Sequence, residues 1–450
     1  MALLLKGGFV VTVDGALGDL PSGDVLISDD VITAVGYGLT PPSPETEIID
    51  AAGRLIIPGL VDTHRHAWHG ALGGHSPRTT GTGYEGMEPG WIASLYRPAD
   101  IYAGAFWGAL QALHCGITTI ADWAYLQSPQ HGDANLQGLQ ESGIRGYFLY
   151  GGPGANVDDP EIHHASVRRM RDEYFRTGTH GRLRLGMALN GPTFTSPAQS
   201  AADFGAARAL GLPISLHVGM PGTRYSVASL ERSGLLGADV NYVHGNTLTD
   251  AEFDAIAESS GTLSITPATE MLMRFGAFPA TRRAVQRGIA AGFGVDTVQS
   301  AGPDLFAQLR LALSAERSGA SAAAAPGTKL APAADLGYRD MLKLATMGGA
   351  QAWHLQHETG SLTPGKQADV TIIDMRSAHL DGFGDPVTTM ILAAGPADVE
   401  TVIVGGEIVK REGKLVGPHI AKARQLMRES RQYLRRAELP LPKLPRRIVA

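Results

Sequence analysis

Hydrophobic residues in the middle of the chain form short apolar runs, and the stretches between them carry apolar positions at helical spacing. The runs predict strands at 59–66, 117–122, 146–150, 183–189, 214–218, 240–244, 263–266 and 291–296. The stretches between them predict helices, including 99–114, 197–210, 250–259 and 305–316. This alternation predicts an α/β fold, a (β/α)8 barrel, whose active site lies at the C-terminal ends of the strands.

The two ends of the chain share a different pattern, in which short β-prone runs are separated by Gly, Asp and Pro residues. These runs lie at 9–13, 23–28, 31–35, 368–374 and 399–404. We expect them to form one small β-sandwich from both chain ends. The predicted domain boundaries are 1–56 for its first part, 57–358 for the barrel, 359–417 for its second part and 418–450 for a C-terminal helix and tail.

Composition excludes several classes of protein. The 450 residues are 44% hydrophobic, and 38 basic against 44 acidic side chains give a net charge of −6, so no nucleic-acid surface is expected. No apolar run approaches the roughly 20 residues of a membrane-spanning helix. A single cysteine, Cys115, excludes an internal disulfide and indicates a reducing compartment. We expect a cytoplasmic homo-oligomer that contacts a small-molecule substrate and no membrane.

Two histidines lie at the end of the first predicted barrel strand, in the run Pro58-Gly-Leu-Val-Asp-Thr-His-Arg-His66. Side chains two residues apart on a strand point to one face, so His64 and His66 project together. Neutral imidazoles are standard ligands for zinc and similar ions. A chance pair of structural histidines is the alternative. Arg65 points away from the pair and is expected to form a structural ion pair.

Further candidate ligands follow other barrel strands. His217 ends the fifth predicted strand, His244 ends the sixth, and Asp296 ends the eighth. One histidine at a strand end is usually structural. Four histidines and an aspartate at the end of the barrel where chemistry occurs favour a metal site instead.

With these residues the chain resembles the amidohydrolase superfamily, in its cytosine-deaminase-like and atrazine-hydrolase-like branch. The resemblance is carried by the run that ends at His66, by His217, by His244-Gly-Asn, and by Gly-Val-Asp296 with the Gly-Pro-Asp-Leu-Phe that follows. It extends to the segment 360–374, Gly-Ser-Leu-Thr-Pro-Gly-Lys-Gln-Ala-Asp-Val-Thr-Ile-Ile-Asp, which matches the family's return to the β-sandwich.

The resemblance implies one divalent metal ion, Zn²⁺ with Fe²⁺ as the alternative, held by His64, His66, His217 and Asp296. The metal would activate a water molecule, Asp296 would move its proton to the leaving group, and His244 would polarise the substrate's carbonyl or ring C=N. Branches with two metals use a lysine on the fourth strand. The predicted fourth strand, 183–189, has none, so we expect one metal.

One position departs from the pattern of the family's deaminases. They carry a glutamate three residues after the fifth-strand histidine, where it protonates the substrate's ring nitrogen. Met220 occupies that position here. Glu270, after the seventh predicted strand, is the nearest candidate to replace that acid, and a solvated loop glutamate is the alternative interpretation.

Together these features predict a metal-dependent hydrolase that uses activated water to cleave a non-peptide C–N bond of a small cyclic or heteroaromatic substrate. An aminohydrolase of a purine, pyrimidine or triazine ring with a relocated acid is one alternative. A lyase or isomerase, in which the metal stabilises an enolate-like anion, is another. A binding protein with a vestigial site is the third, and the retention of every ligand argues against it.

Overall fold

The computed structural model describes residues 2–72, 93–152, 160–192, 194–221, 226–276, 278–298, 301–323, 336–382, 384–417 and 419–436. The strands form two sheets. They are β1 (Ala2–Val11), β2 (Asp19–Ser28), β3 (Val31–Gly36), β4 (Glu47–Asp50), β5 (Arg54–Pro58), β6 (Leu60–Arg65), β7 (Ile117–Tyr125), β8 (Arg145–Gly151), β9 (Thr179–His180), β10 (Leu183–Leu189), β11 (Ile214–Val218), β12 (Val240–His244), β13 (Thr262–Ile265), β14 (Ala291–Phe293), β15 (Val370–Asp374), β16 (Val399–Val404), β17 (Glu407–Arg411) and β18 (Lys414–Leu415).

Helices connect most of the barrel strands. They are α1 (Ala93–Leu95), α2 (Pro98–His114), α3 (Pro129–Ser142), α4 (Pro160–Tyr174), α5 (Pro197–Ala209), α6 (Ser226–Arg232), α7 (Asp250–Glu258), α8 (Pro267–Leu272), α9 (Thr281–Gln286), α10 (Leu305–Ala323), α11 (Tyr338–Lys343), α12 (Gly349–Ala352), α13 (Pro386–Ala393) and α14 (His419–Arg436). A 3₁₀ helix spans Ala67–Leu72, and a π-helical turn spans Leu344–Gly348. Among the described helices, none has the length and apolar character that crossing a membrane requires.

The predicted barrel is confirmed. Its strands pair in parallel in the order β14-β13-β12-β11-β10-β8-β7-β6. Several strands are buried along their whole length, as expected for a parallel sheet with side chains inside and helices outside. The fold therefore brings the C-terminal ends of eight strands to one rim.

The barrel closes between its first and last strands at residues that the sequence singled out. Arg65 and Asp296 form a parallel bridge between β6 and the segment after β14. The backbone nitrogen of Asp296 donates to the carbonyl of His64 at 2.8 Å. A Cβ atom at Gly294 would lie 2.7 Å from that same carbonyl oxygen, so only glycine allows this approach. Closure of the barrel thus fixes the distance between the candidate ligands.

The second sheet combines both ends of the chain, as predicted. Its order is β18-β17-β16-β15-β5-β1-β2-β3, and β4 pairs with β1. The central contact joins β5 to β15, with Leu55 opposite Ile373 and Pro58 opposite Val370. Since β5 ends at Pro58 and β6 begins at Leu60, this sheet anchors the strand that carries the first two histidines.

Candidate active site

Three histidines meet at the C-terminal rim of the barrel. His64 is near the end of β6, His66 follows that strand, and His217 lies on β11. One ring nitrogen of each lies within 4.8 Å of the others. The Nε2 atoms of His64 and His217 are 3.3 Å apart, and all three side chains are buried.

Asp296 adds a carboxylate to the cluster from the segment that follows β14, the last strand of the barrel. Its Oδ1 atom lies 3.2 Å from Nε2 of His66 and 3.5 Å from Nε2 of His64. Burial alone would raise the pKa of Asp296, but hydrogen bonding and attraction to His64 and His66 outweigh burial and hold that pKa well below 3.8. The side chain is therefore a carboxylate at neutral pH.

The buried imidazoles of His64 and His217 are in the protonation state that metal ligands require. Burial lowers the pKa of His64 to about 4. Burial, followed by the repulsion of the neighbouring imidazoles, lowers the pKa of His217 well below 6.5. Metal ions bind neutral imidazole and ionised carboxylate, so no proton has to be removed from these groups before a metal binds.

The spacing of the nitrogens also fits a metal ion. Two nitrogen ligands of one tetrahedral zinc ion, each about 2.0–2.1 Å from it, lie about 3.3–3.4 Å apart. Nδ1 of His66 donates to the carbonyl oxygen of Trp123 at 2.7 Å, so it is Nε2 of this ring that faces Asp296 and the cluster. The fourth barrel strand, β10, has no lysine. The three histidines fit a single divalent ion, and Asp296 lies where the fourth ligand is predicted.

His244 lies beside this cluster rather than within the group of three. Its ring is stacked on that of His217, with centroids 5.3 Å apart. His244 has φ 81° and Asp296 has φ 65°, backbone conformations that residues other than glycine seldom adopt. Strain of this kind concentrates at functional sites, where the surrounding structure holds it in place.

Glu270 lies against His244. The carboxylate is fully buried at the start of α8, and its Oε1 atom is 3.5 Å from Nδ1 of His244. Oε1 also accepts a 2.7 Å hydrogen bond from the backbone nitrogen of Thr266, and Oε2 accepts one from Asn246 at 3.1 Å. The hydroxyl of Thr266 lies 3.1 Å from the same His244 nitrogen. The burial excludes the solvated-loop interpretation of Glu270, and its partners place it against His244.

Met220 lies in an apolar cluster, where the deaminase pattern would have an acid. It packs with Met273 and Phe275, and Phe194 lies against them. The Phe275 ring meets that of His244 edge to face, with centroids 4.9 Å apart. Apolar side chains therefore form one wall beside His244.

Sequence reasoning missed part of the support for the cluster. Arg65 forms the predicted ion pair, and its partner is Asp62, at 2.7 Å in a fully buried setting. The contact of His66 with the carbonyl of Trp123 could not be predicted, because any residue type has a backbone carbonyl and Trp123 lies 57 residues later in the chain. Asp62 did carry one, since it lies three residues before Arg65 in the same run.

A model of the Amidohydrolase family matches residues 55–409. Relatives of similar length include a 5'-deoxyadenosine deaminase of Methanosarcina mazei, 28% identical over 92% of this chain and 94% of its own. A 5-methylthioadenosine/S-adenosylhomocysteine deaminase of Nitratidesulfovibrio vulgaris is 27% identical over 91% of this chain and 92% of its own.

Solved structures with the same fold include an atrazine chlorohydrolase from Arthrobacter aurescens complexed with zinc. It has a TM-score of 0.82 and 23% identity, over 94% of this chain and all of its own. An adenosine deaminase from Xanthomonas campestris with bound zinc has a TM-score of 0.84 and 21% identity, over 96% of this chain and 98% of its own.

Proposed function

This chain belongs to the amidohydrolase family and is a hydrolase of C–N bonds other than peptide bonds, and we propose that it removes the exocyclic amine of a purine-nucleoside-like substrate. The observation that carries the proposal is the contact of the Asp296 carboxylate with the histidine cluster, with His244 beside it. The deaminase relatives, aligned over nearly the whole chain, support the substrate class.

We propose that His64, His66, His217 and Asp296 hold one zinc ion. Bound there, the metal would supply a water molecule of lowered pKa and a positive charge. The side chains of the cluster are buried, so these charges act at a lower dielectric than in water.

In this proposal Asp296 is the proton carrier. The carboxylate accepts the proton of the attacking water and delivers it to the departing nitrogen, so the amine leaves as ammonia and oxygen replaces it on the ring carbon. Nε2 of His244 steadies the charge that develops on the substrate during this exchange.

We assign Glu270 to positioning. Its carboxylate, with the hydroxyl of Thr266, fixes Nδ1 of His244 and so the direction of the ring. The direct-acid role of Glu270 predicted from the sequence stays a prediction, which the variant Glu270→Gln tests. Both oxygens of Glu270 accept hydrogen bonds within the fold, which supports the positioning role.

Met220 favours a second candidate, the opening of a cyclic amide. A thioether cannot protonate a ring nitrogen, whereas a carbonyl substrate needs only polarisation of its oxygen and a proton on the leaving nitrogen. His244 and Asp296 supply both of these requirements without a further acid.

Mass spectrometry and ammonia detection on the zinc-loaded enzyme separate the two candidates. The panel contains 5'-deoxyadenosine, adenosine, adenine and a cyclic ureide, with Asp296→Asn as the inactive control. Release of ammonia from the adenosine compounds supports the proposal. A gain of one water by the ureide without ammonia supports the second candidate, and no turnover of any adenosine compound contradicts the first.

We also propose that the enzyme works as a homo-oligomer in the cytoplasm. The buried free thiol of Cys115 supports a reducing compartment, and we assign the contact between subunits to the amphipathic helix α14. Light scattering of the purified chain tests the oligomeric state.

A further inference from the structure

Asp122 is a buried carboxylate that contacts the segment of His66 from the neighbouring strand. It lies on β7, where it pairs with Arg65 of β6, and it is fully buried. Its Oδ1 atom accepts a hydrogen bond at 2.9 Å from the backbone nitrogen of Ala67, the residue that directly follows His66. Asp122 therefore bonds to the chain beside a predicted metal ligand without being one of the predicted ligands.

These hydrogen bonds hold His66 and its segment at three points. The backbone nitrogen of His66 donates to the carbonyl of Asp296 at 3.0 Å, and its ring Nδ1 donates to the carbonyl of Trp123 at 2.7 Å. Both of these acceptors are main-chain atoms, which every residue type supplies. The bond from Ala67 to Asp122 is the one of the three that depends on the type of a partner side chain.

The second oxygen of Asp122 fixes the direction of the carboxylate. Oδ2 accepts a hydrogen bond at 2.7 Å from Nδ2 of Asn135, which is fully buried on α3. With one oxygen bonded to α3 and the other to the amide of Ala67, the carboxylate cannot rotate without breaking a buried hydrogen bond, which is costly. Asn135 therefore holds Asp122 in the orientation that meets Ala67.

Helix α2 confines the same segment. A Cβ atom at Gly104 would lie 2.2 Å from the carbonyl oxygen of Trp68, and one at Gly108 would lie 2.4 Å from that of Ala67. Glycine at these two positions lets the helix approach the backbone so closely. The turn after His66 is thus packed on α2 and bonded to Asp122, which leaves it little freedom to move.

We propose that Asp122, supported by Asn135, is a positioning residue that holds His66 in the geometry required for metal binding. The proposal goes beyond the function proposed above and rests on its metal site. Nε2 of His66 lies 3.2 Å from Oδ1 of Asp296, so a small shift of the His66 backbone changes the spacing of the donor atoms. Replacement of residues that orient metal ligands typically weakens metal binding by about 10- to 100-fold.

Zinc affinity, measured by competition with a chelator, tests this role without any substrate. Asp122→Ala should weaken zinc binding by about 10²-fold, because it releases the amide of Ala67. Asp122→Asn should restore much of the affinity, since a carboxamide oxygen can still accept a hydrogen bond from that amide. Wild-type affinity in Asp122→Ala would overturn the proposal.

Asp24→Ala is the matched control. Asp24 is also a buried carboxylate, and it accepts hydrogen bonds from the backbone nitrogens of Gly7 and Leu39, but it lies in the second sheet. This variant should bind zinc as the wild type does. A loss equal to that of Asp122→Ala would show that zinc affinity follows general stability, and would contradict the positioning role.

Asn135→Ala keeps the test decisive if Asp122→Ala does not fold. It leaves Asp122 in place and removes the hydrogen bond to Oδ2, so zinc binding should weaken by about 10-fold. In the cobalt-substituted protein, the visible absorption bands report the geometry of the ligands, and they should change in Asn135→Ala but not in Asp24→Ala. Unchanged bands and unchanged zinc affinity in Asn135→Ala would contradict the proposal.

Hydrogen–deuterium exchange separates failure of the positioning role from failure of the metal site. If the wild type binds no zinc, the metal site proposed above fails. The positioning role also predicts that the amide of Ala67 exchanges faster in metal-free Asp122→Ala than in the metal-free wild type. Equal exchange of this amide in the two proteins contradicts the role of Asp122, whether or not the wild type binds zinc.

Discussion

The Oδ1 atom of Asp62 accepts a hydrogen bond from the backbone nitrogen of Val295 at 3.0 Å. Because Val295 directly precedes Asp296, this bond joins the first barrel strand to the segment that carries Asp296. The other oxygen of Asp62 pairs with Arg65, whose guanidinium donates to the carbonyl of Pro303 at 2.7 Å. A buried ion pair therefore holds together the two segments that carry three of the four predicted ligands.

Removal of half of this ion pair should destabilise the protein strongly. In Asp62→Asn, Arg65 keeps a buried charge without its counter-ion, which costs about 3–5 kcal/mol of unfolding free energy. Asp374→Asn, which removes the partner of the exposed Arg376, is the matched control and should cost less than about 1 kcal/mol. Urea denaturation measures both. Equal losses in the two variants would show that the Asp62 pair does not hold the barrel closed.

The purified chain should contain about one divalent ion, as elemental analysis will show. His64→Ala and Asp296→Ala should lose activity, because each removes a predicted ligand. Removal of the metal with a chelator should abolish turnover, and zinc should restore it. His357→Ala, at an exposed position, is the control. No metal, or two ions per chain, would contradict the site.

His244→Ala should retain the metal and lower kcat by roughly 10²-fold or more, because it removes the group that steadies the developing charge. Metal content and kcat are measured on the same preparation. If this variant loses its metal, His244 is a ligand instead.

Glu270→Gln tests positioning against direct acid catalysis. We expect roughly a 10²-fold loss of kcat with little change in metal content. If Glu270 acts through His244, the double variant Glu270→Gln/His244→Ala should be no slower than His244→Ala alone. Losses that multiply would instead assign Glu270 an independent role, as the proton donor predicted from the sequence.

Lys410 should make stability depend on pH at alkaline values. Its Nζ atom is buried on β17 and donates to the carbonyls of His114 and Pro396, and burial lowers its pKa to about 8. An unfolded lysine keeps its proton up to about pH 10.5, so the unfolded state binds more protons between pH 8 and 10.5. The contribution of this group to stability therefore rises with pH in that interval.

The difference in unfolding free energy between wild type and Lys410→Met isolates that contribution. We expect the unfolding free energy of the wild type to increase relative to that of Lys410→Met between pH 8 and 10.5. Below pH 8 the difference between the two should stay constant. Lys414→Met, at an exposed position, should give no such slope. A flat difference for Lys410→Met would mean that the ammonium group titrates normally.

The barrel could be predicted from the sequence because its strands are short runs rich in apolar and β-branched residues, separated by stretches with helical spacing. The predicted strands 183–189, 214–218 and 240–244 coincide with β10, β11 and β12. The cluster could be predicted because its members all lie at strand ends, which the fold brings to one rim.

Other parts of the site depend on contacts that no local pattern records. His163 lies within α4, and it lines a cavity near the ends of β8 and β10 together with Phe194 and Asp203, which belong to a later part of the chain. The contact of Glu270 with His244 likewise depends on how α8 packs after β13. The neighbours of such a side chain are determined by how the helices pack on the barrel.

The sheet built from both chain ends has a consequence for synthesis on the ribosome. Arg54 pairs with Glu400, 346 residues later, and β5 finds its partner β15 only after the whole barrel has been translated. Until then the hydrogen-bonding edge of β5 is open to other chains. A nascent or truncated chain that ends before β15 should therefore be prone to aggregate, and chaperones would have most to protect at that edge.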